Sequence, residues 1–370
     1  MNRSLEGRGT LAAGYRMIES FSLSGFRCFK QLKLKDLRRI NIVVGDNGVG
    51  KTALGEALYL TTASSPAGAW WVRFTRGRIF PQSPQPFVWN REFFQLFWRD
   101  LFYNFDDNVP ITASLVDSFK GKYSLRVFYD LRRSVPMPVA TNVPTSPIAP
   151  LVFERTTPQK KKTYTSVALD EKGQPQFSGN PELIPLTAII PSTISSNQTD
   201  MVNWYSTLSK ENKEGPVVSA LTSLFEQIED VSLELDASLP SLFVSTKAVA
   251  QKQPLAIVSA GIGRTFYTLL GIASAPRGIV LVDEIENGIH YSRMSSIWAT
   301  LLKSCEDNET QLFAATHSFE CLQALLPVVE KYNHLVSLIR LEIDDKGNHI
   351  AKQFWGRELE AALRSQGEIR

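Results

Sequence analysis

The chain has 370 residues, of which 43% are hydrophobic and 21% are charged, enough for a sizeable core and one or two packed domains. Its net charge of +3 is too close to neutral to indicate binding to nucleic acid or to a membrane by itself. Three cysteines without a CxxC spacing argue against a disulfide framework or a cysteine zinc site, and no apolar run approaches the roughly 20 residues of a spanning helix. These features predict a soluble, cytoplasmic protein.

The first predicted elements lie after a polar, glycine-rich stretch. Residues 1–16 have no periodicity and are predicted to be disordered, with the fold beginning near Met17. An early strand pattern is followed by the apolar run 39–44, which predicts a buried strand because it is short and ends at a glycine. A helix is expected from Lys51 to about Tyr59.

The middle of the chain mixes strand and helix patterns with loops. Aromatic residues crowd the helical stretch 91–102, which favours core packing over a base-stacking platform. Strands are predicted at 111–115, 123–130 and 163–169, whereas five prolines within 134–150 exclude a helix or a central strand there.

The remaining elements alternate between helix and strand. They are a helical region at 201–230, strands at 232–235 and 242–245, a helix from Gly263 to about Ala273, a strand at 278–282, a helix at 291–304, a strand at 311–315, a hairpin around 345–348 and a last short helix.

A glycine-rich segment between the first buried strand and its helix satisfies the pattern GxxxxGK[ST]. Its residues are Gly45, Asp46, Asn47, Gly48, Val49, Gly50, Lys51 and Thr52. Glycines let backbone N–H groups approach phosphates, and the helix N-terminus adds positive potential. Lys51 is expected to reach the β- and γ-phosphate oxygens of ATP, and the Thr52 hydroxyl to bind Mg²⁺. A chance lysine in an ordinary turn is disfavoured by both flanking elements.

Two acids end the apolar strand 279–282, whose aliphatic residues predict burial on both faces. Asp283 is expected to join the Mg²⁺ shell beside Thr52, and Glu284 to act as the general base that polarises the attacking water. Taken alone, two acids in this position could simply cap the next helix. Together with the phosphate-binding loop they indicate ATP hydrolysis.

A histidine, His317, follows the next buried strand. A lone histidine is usually structural. At the end of the strand after the two acids, however, it lies where a sensor of the γ-phosphate is needed, so it is a second candidate catalytic residue.

The order of these motifs resembles prokaryotic ABC/SMC-type "AAA family ATPases" of the OLD-like class. The resemblance rests on the segments SFSLSGFRCF, GDNGVGKT, FWRDLFYNFDDNVPI, VSAGIGR, VLVDEIENGIH and FAATHSFE. It implies an α/β fold, an ABC-type P-loop ATPase head with a mixed sheet around the P-loop core, inserted loop-rich and helical lobes and no long coiled coil. The expected head spans 17–343, with insertions at about 60–110 and 131–230, and a hairpin strand and helix follow at 344–370.

The resemblance also implies a site shared between two heads. Ser259 and Gly261 stand where ABC proteins carry their signature, so they are expected to contact the γ-phosphate bound by a partner head. An ordinary strand-to-helix turn is the alternative. His290 stands at the place of the usual D-loop aspartate, and Gln82, Gln85 and Gln95 are candidates for the Q-loop glutamine.

Some features of related proteins are not expected. Residues 53–258 carry no heptads, which argues against a coiled-coil arm. Residues 318–370 are too few for the nuclease domain of OLD proteins.

The leading hypothesis is therefore an ATP-gated switch. Two copies would close over ATP and Mg²⁺ and control a separately encoded effector, a nuclease, toxin or reverse-transcriptase complex, as stand-alone family members do in anti-phage defence (Septu, PARIS and retron types). A RecF-like repair protein that binds DNA in an ATP-dependent way is the alternative, and a scaffold that binds ATP and barely hydrolyses it is a third. DNA or RNA is kept as a candidate partner. No membrane partner is expected.

Overall fold

The structure is a computed structural model that describes residues 17–63, 67–74, 91–133, 149–170, 174–179, 187–192 and 198–365. The disordered stretch predicted at 1–16, the Q-loop candidates Gln82 and Gln85, and most of the proline-rich segment lie outside the described residues.

Strands and helices are numbered in chain order. The strands are β1 (Ile18–Phe26), β2 (Phe29–Leu34), β3 (Ile40–Val44), β4 (Ile111–Asp117), β5 (Lys122–Tyr129), β6 (Leu151–Thr156), β7 (Lys162–Leu169), β8 (Pro175–Ser178), β9 (Thr187–Ile190), β10 (Ile228–Asp236), β11 (Leu239–Thr246), β12 (Val249–Pro254), β13 (Ile279–Val282), β14 (Gln311–Ala315), β15 (Val336–Ile343) and β16 (His349–Trp355). The helices are α1 (Lys51–Thr62), α2 (Ala67–Phe74), α3 (Arg91–Arg99), α4 (Gln198–Lys210), α5 (Gly215–Leu224), α6 (Leu255–Val258), α7 (Ala260–Ser274), α8 (Tyr291–Asp307), α9 (Phe319–Gln323), α10 (Leu326–Tyr332) and α11 (Gly356–Ser365).

A six-stranded sheet forms the centre of the fold, in the order β16-β15-β3-β14-β13-β9. Its strands pair in parallel except at the β15–β16 hairpin. Every residue of β3, β13 and β14 is buried, as their aliphatic sequences predict for parallel strands covered on both faces. Because parallel strands end at the same edge, the segments after β3, β9, β13 and β14 meet there.

Two further sheets flank this centre. A seven-stranded antiparallel sheet, β2-β1-β4-β5-β6-β7-β8, shares one hydrophobic core with α1 and one face of the central sheet. A three-stranded antiparallel sheet, β10-β11-β12, contributes to the other core, together with α4, α5 and α7. The expected α/β fold with a mixed sheet around a P-loop is confirmed.

The structure corrects two predicted elements. The region 201–230 is not one helical stretch, because α4 ends at Lys210, α5 begins at Gly215, and Ile228 already belongs to β10. Asn212 takes a left-handed φ of 55°, and the proline in the first turn of α5 suits a new helix start. Helix α7 begins at Ala260 rather than after Gly263, because the Ser259 side chain caps it.

The longest described helix, α8, has 17 residues, so the described part of the chain contains no coiled-coil arm. None of its helices combines the length and apolar character needed to cross a bilayer.

Candidate ATP site

The glycine-rich loop joins the buried end of β3 to the N-terminus of α1. A Cβ at Gly45 would lie 2.2 Å from the Leu341 carbonyl oxygen, and the φ of Gly45 is 138°, so this position requires glycine. Val49 is buried, and its carbonyl oxygen accepts a hydrogen bond from His349 Nδ1 at 2.8 Å. Between them, Asp46, Asn47 and Gly48 are exposed. The loop is thus anchored at its ends and open in its middle, where its N–H groups can meet phosphates.

Lys51, at the first position of α1, extends back over this loop. Its Nζ donates to the carbonyl oxygens of Gly45 at 2.7 Å and Asp46 at 3.0 Å. Burial lowers the pKa of the Lys51 ammonium from its ordinary value, and the nearby carboxylates, Asp283 foremost, oppose that shift. A partly desolvated cation is therefore held beside the loop, where a phosphate chain would lie.

Thr52 and Asp283, distant in sequence, are in direct contact. The Thr52 hydroxyl donates to Asp283 Oδ2 at 2.8 Å, and the Asp283 N–H donates to Ile190 O at 3.0 Å. The backbone hydrogen bond fixes the carboxylate at the end of β13, opposite α1. A hydroxyl and a carboxylate oxygen side by side are ligands that suit Mg²⁺. These residues therefore fit a Mg²⁺ ion, which they would hold together.

Glu284 follows in a strained conformation, with a left-handed φ of 50°. Such a φ costs about 1–3 kcal/mol in a residue with a side chain and is concentrated at functional sites. Glu284 lines one cavity of about 230 Å³ together with Lys51, Thr52 and Asp283. The structure thus brings the predicted phosphate-binding, metal-binding and general-base residues together.

His317 lies at the end of β14, on the same edge. Its backbone N–H donates to Glu286 Oε1 at 3.1 Å, and its Nδ1 lies 3.2 Å from the same oxygen. The His317 side chain is 53% exposed, so it can turn toward a ligand in front of the sheet.

Ser259 and Gly261 lie apart from this cavity. They line a separate cavity of about 440 Å³, together with Gly288 and His290. Ser259 is the N-cap of α7, and its Oγ accepts a hydrogen bond from the Ile262 backbone N–H. The N–O distance is 3.5 Å, which is long for a hydrogen bond, so the hydroxyl can still bind another partner. A single chain therefore does not bring Ser259 and Gly261 to the phosphate-binding loop.

A family model described as "AAA domain, putative AbiEii toxin, Type IV TA system" matches residues 168–321. This range contains Ser259, Asp283, Glu284 and His317, while the loop that carries Lys51 lies before it. This match, the glycine-rich loop and the contact between Thr52 and Asp283 are those of a P-loop ATPase of the AAA/ABC type.

Curated relatives match the ATPase over very different lengths. A protein of Helicobacter pylori described as an ATP/GTP phosphatase is 23% identical over 372 residues, which cover 93% of this chain and 97% of the relative. The DNA replication and repair protein RecF of Idiomarina loihiensis is 54% identical over 43 residues, which are 12% of each chain.

Solved structures of SMC heads are similar to the ATPase over most of its length. The SMC head bound to the C-terminal winged-helix domain of ScpA is 14% identical with a TM-score of 0.48, covering 94% of this chain and 99% of that one. The SMC head domain from Thermotoga maritima is 14% identical with a TM-score of 0.43, covering 91% and 99%.

Several residues near the site of the ATPase were not predicted from the sequence. Glu286 accepts a hydrogen bond from the His317 backbone N–H. It lies in the segment VLVDEIENGIH, two residues after Glu284, but no role was predicted for it. Pro191 and Ser192 line the Lys51 cavity, because β9 pairs in parallel with β13 and ends beside it. Gln95, the described Q-loop candidate, lies on α3 and does not line that cavity. Only knowledge of the strand order could have identified the segment after β9.

Gly261 is packed against the chain that follows the two acids. A Cβ at Gly261 would lie 2.3 Å from Gly288 O, whereas a Cβ at Gly263 meets nothing within 4 Å. We expect Gly261→Ala to destabilise the ATPase by about 1–3 kcal/mol, since backbone must move. Gly263→Ala on the same helix should be neutral or stabilising by up to about 1 kcal/mol. Urea unfolding of both variants checks this, and equal stabilities would contradict the close packing.

Proposed function

We propose that the ATPase binds ATP with Mg²⁺ at its glycine-rich loop and hydrolyses it between two copies that associate head to head. The observation that carries this proposal is the hydrogen bond from Thr52 to Asp283, in the cavity that also holds Lys51 and Glu284. These side chains supply what phosphoryl transfer needs, namely a cation for the phosphates, oxygen ligands for a metal and a carboxylate for the attacking water.

Each residue has a distinct role in this proposal. Lys51 binds the β- and γ-phosphates, and Thr52 and Asp283 would hold the Mg²⁺, which neutralises phosphate charge when bound. Glu284 accepts a proton from the attacking water as general base. His317, with its exposed ring, contacts the γ-phosphate.

The second copy supplies the part of the site that one chain lacks. Ser259 and Gly261 face a different cavity from Lys51, so they are available to the γ-phosphate held by a partner. The N-terminus of α7, just behind Ser259, adds positive potential for that phosphate. Two such contacts in a symmetric pair close two sites at once.

We propose further that opening and closing of the pair acts as a switch on a separately encoded effector in anti-phage defence. Support comes from the motif resemblance and from the matching family, whose description names a toxin of a toxin–antitoxin system. A toxin or nuclease reading frame beside this gene is the expected neighbour. The match to RecF spans too little of either chain to favour a DNA-repair role.

Mixing two inactive variants tests the shared site. Lys51→Ala damages the phosphate-binding loop and Ser259→Arg blocks the signature side, so each alone should hydrolyse ATP at less than about a tenth of the wild-type rate. In an equal mixture, mixed pairs contain one complete site, and random pairing predicts recovery of roughly a quarter of the wild-type rate. Steady-state phosphate release measures it.

The matched control mixes Lys51→Ala with Thr52→Ala, a pair in which no combination has a complete site, so no recovery is expected. Normal turnover by Ser259→Arg alone would show that one chain completes its own site and would refute the shared arrangement.

A further inference from the structure

Arg264, in the first turns of α7, is a buried cation with unused hydrogen-bonding capacity. The residue is 1% exposed, and its Nη1 donates to the Pro191 carbonyl oxygen. Its Nε and Nη2 are buried and have no hydrogen-bond partner among the described residues. A buried guanidinium with unmet donors is costly, so such an arrangement calls for an acceptor nearby.

Glu286 is the complementary group. Its Oε1 accepts from the His317 backbone N–H, while its Oε2 is buried and lacks a hydrogen-bond partner within the described part of the chain. The Glu286 side chain is only 13% exposed, so water screens it little. The carboxylate thus holds the candidate γ-phosphate sensor with one oxygen and has the other oxygen unused.

Two hydrogen bonds place Arg264 and the residue next to Glu286 against the same segment, the one that follows β9. Asn287, next to Glu286, donates from Nδ2 to Ser192 O at 3.1 Å, and Arg264 donates to Pro191, the residue before Ser192. Burial lowers the pKa of Arg264 to about 10, and the Asp283, Glu284 and Glu286 carboxylates oppose that shift, so the guanidinium lies within their field. Of these acids, Asp283 already accepts from Thr52, whereas Glu286 has a buried oxygen without a hydrogen-bond partner among the described residues.

We propose that Glu286 is a positioning residue that links His317 to Arg264, and through Arg264 connects the γ-phosphate at the ATP site to the start of α7. When His317 turns toward the γ-phosphate, the Glu286 carboxylate is released from the imidazole and pairs with the unused donors of Arg264. Because Arg264 lies on the helix that Ser259 caps, this ion pair adjusts the position in which Ser259 is presented to the second copy. The inference rests on the proposed function for the role of His317.

Glu286→Gln and Arg264→Lys test the link in a Glu284→Gln background, which is expected to hold ATP without turnover. Glutamine keeps an acceptor for His317 but loses the charge. Lysine keeps the charge but has no planar fork that could hold Pro191 O and reach Glu286 together. ATP with Mg²⁺ is expected to slow hydrogen exchange of the amides in the first turns of α7 by about tenfold, and either variant should reduce this to less than about twofold. ATP affinity should change by less than about threefold.

Arg155→Lys is the matched control. Arg155 is another buried arginine, 3% exposed, which donates to Leu60 O away from the site. It should lower stability about as much as Arg264→Lys and leave the ATP effect on α7 intact.

Light scattering on the same samples separates this inference from the dimer proposal. If ATP slows hydrogen exchange in α7 and this effect depends on Glu286, the link is supported, whether the protein is a dimer or a single chain. If the protein shows this effect while it remains a single chain, only the dimer proposal is contradicted. If exchange in α7 responds equally to ATP in Glu286→Gln, Arg264→Lys and the parent, or does not respond in the parent at all, the link is wrong.

Discussion

Replacing Lys51 by alanine is expected to weaken ATP binding by about 100-fold or more, because charged hydrogen bonds to two phosphates are lost together. The lysine is already oriented for this task. Its Nζ is held over the loop by the Gly45 and Asp46 carbonyl oxygens, and burial lowers its pKa, which indicates a poorly hydrated charge that gains from a phosphate partner. Titration with a fluorescent ATP analogue measures the affinity.

Lys303→Ala is the matched control for this variant. Lys303 is an exposed lysine of α8 that pairs with Asp307, so its loss should leave ATP affinity within about twofold. The Lys51 variant should stay folded, since the two contacts of Nζ are made to backbone oxygens of the loop and not to side chains of the core. Unchanged ATP affinity of folded Lys51→Ala would overturn the assignment of the phosphate-binding loop.

Replacing Glu284 by glutamine is expected to lower the turnover number by about 100-fold or more while ATP binding persists, since general-base catalysis contributes 10²–10⁴-fold. Glutamine has nearly the same shape, so the strained backbone at φ 50° is retained and only the proton acceptor is lost. A single-turnover assay, in which bound ATP is followed to ADP, separates the chemical step from ATP binding.

Glu306→Gln provides the comparison, because Glu306 is exposed at the C-terminal end of α8 and does not line the cavity of Glu284. It should hydrolyse ATP at the wild-type rate. If Glu284→Gln also turned over normally, Glu284 would not be the general base, and Glu286 would be the next acid to examine.

The candidate ATP site was predictable largely because its signals are local. A buried strand, a glycine-rich loop and a helix beginning at Lys51 follow one another in the chain, and the same is true of β13 and its two acids. That Thr52 meets Asp283 follows once both strands are parallel and covered, since their carboxyl ends share an edge of the sheet.

Other parts of the site depend on strand order and packing, which local patterns do not carry. Pro191 lines the cavity of Lys51 because β9 is the edge strand next to β13, and nothing within the segment itself indicates that neighbour. From the sequence alone, Arg264 would be expected to be an exposed charged residue at the start of a helix, but in the structure it is buried. The prediction of a helical region at 201–230 is wrong at its end because of a distant strand. Ile228 has helical spacing in the sequence, but it pairs with β11 as part of β10, and this pairing decides its structure.

The central claim is that ATP is clamped between the loop of Lys51 in one copy and Ser259 of a second. Light scattering of Glu284→Gln with saturating ATP and Mg²⁺ tests it most directly. The account predicts a particle of twice the 41.4 kDa of one chain, which returns to a single chain when Ser259→Arg is added. A mass that stays at 41.4 kDa with ATP bound would contradict it.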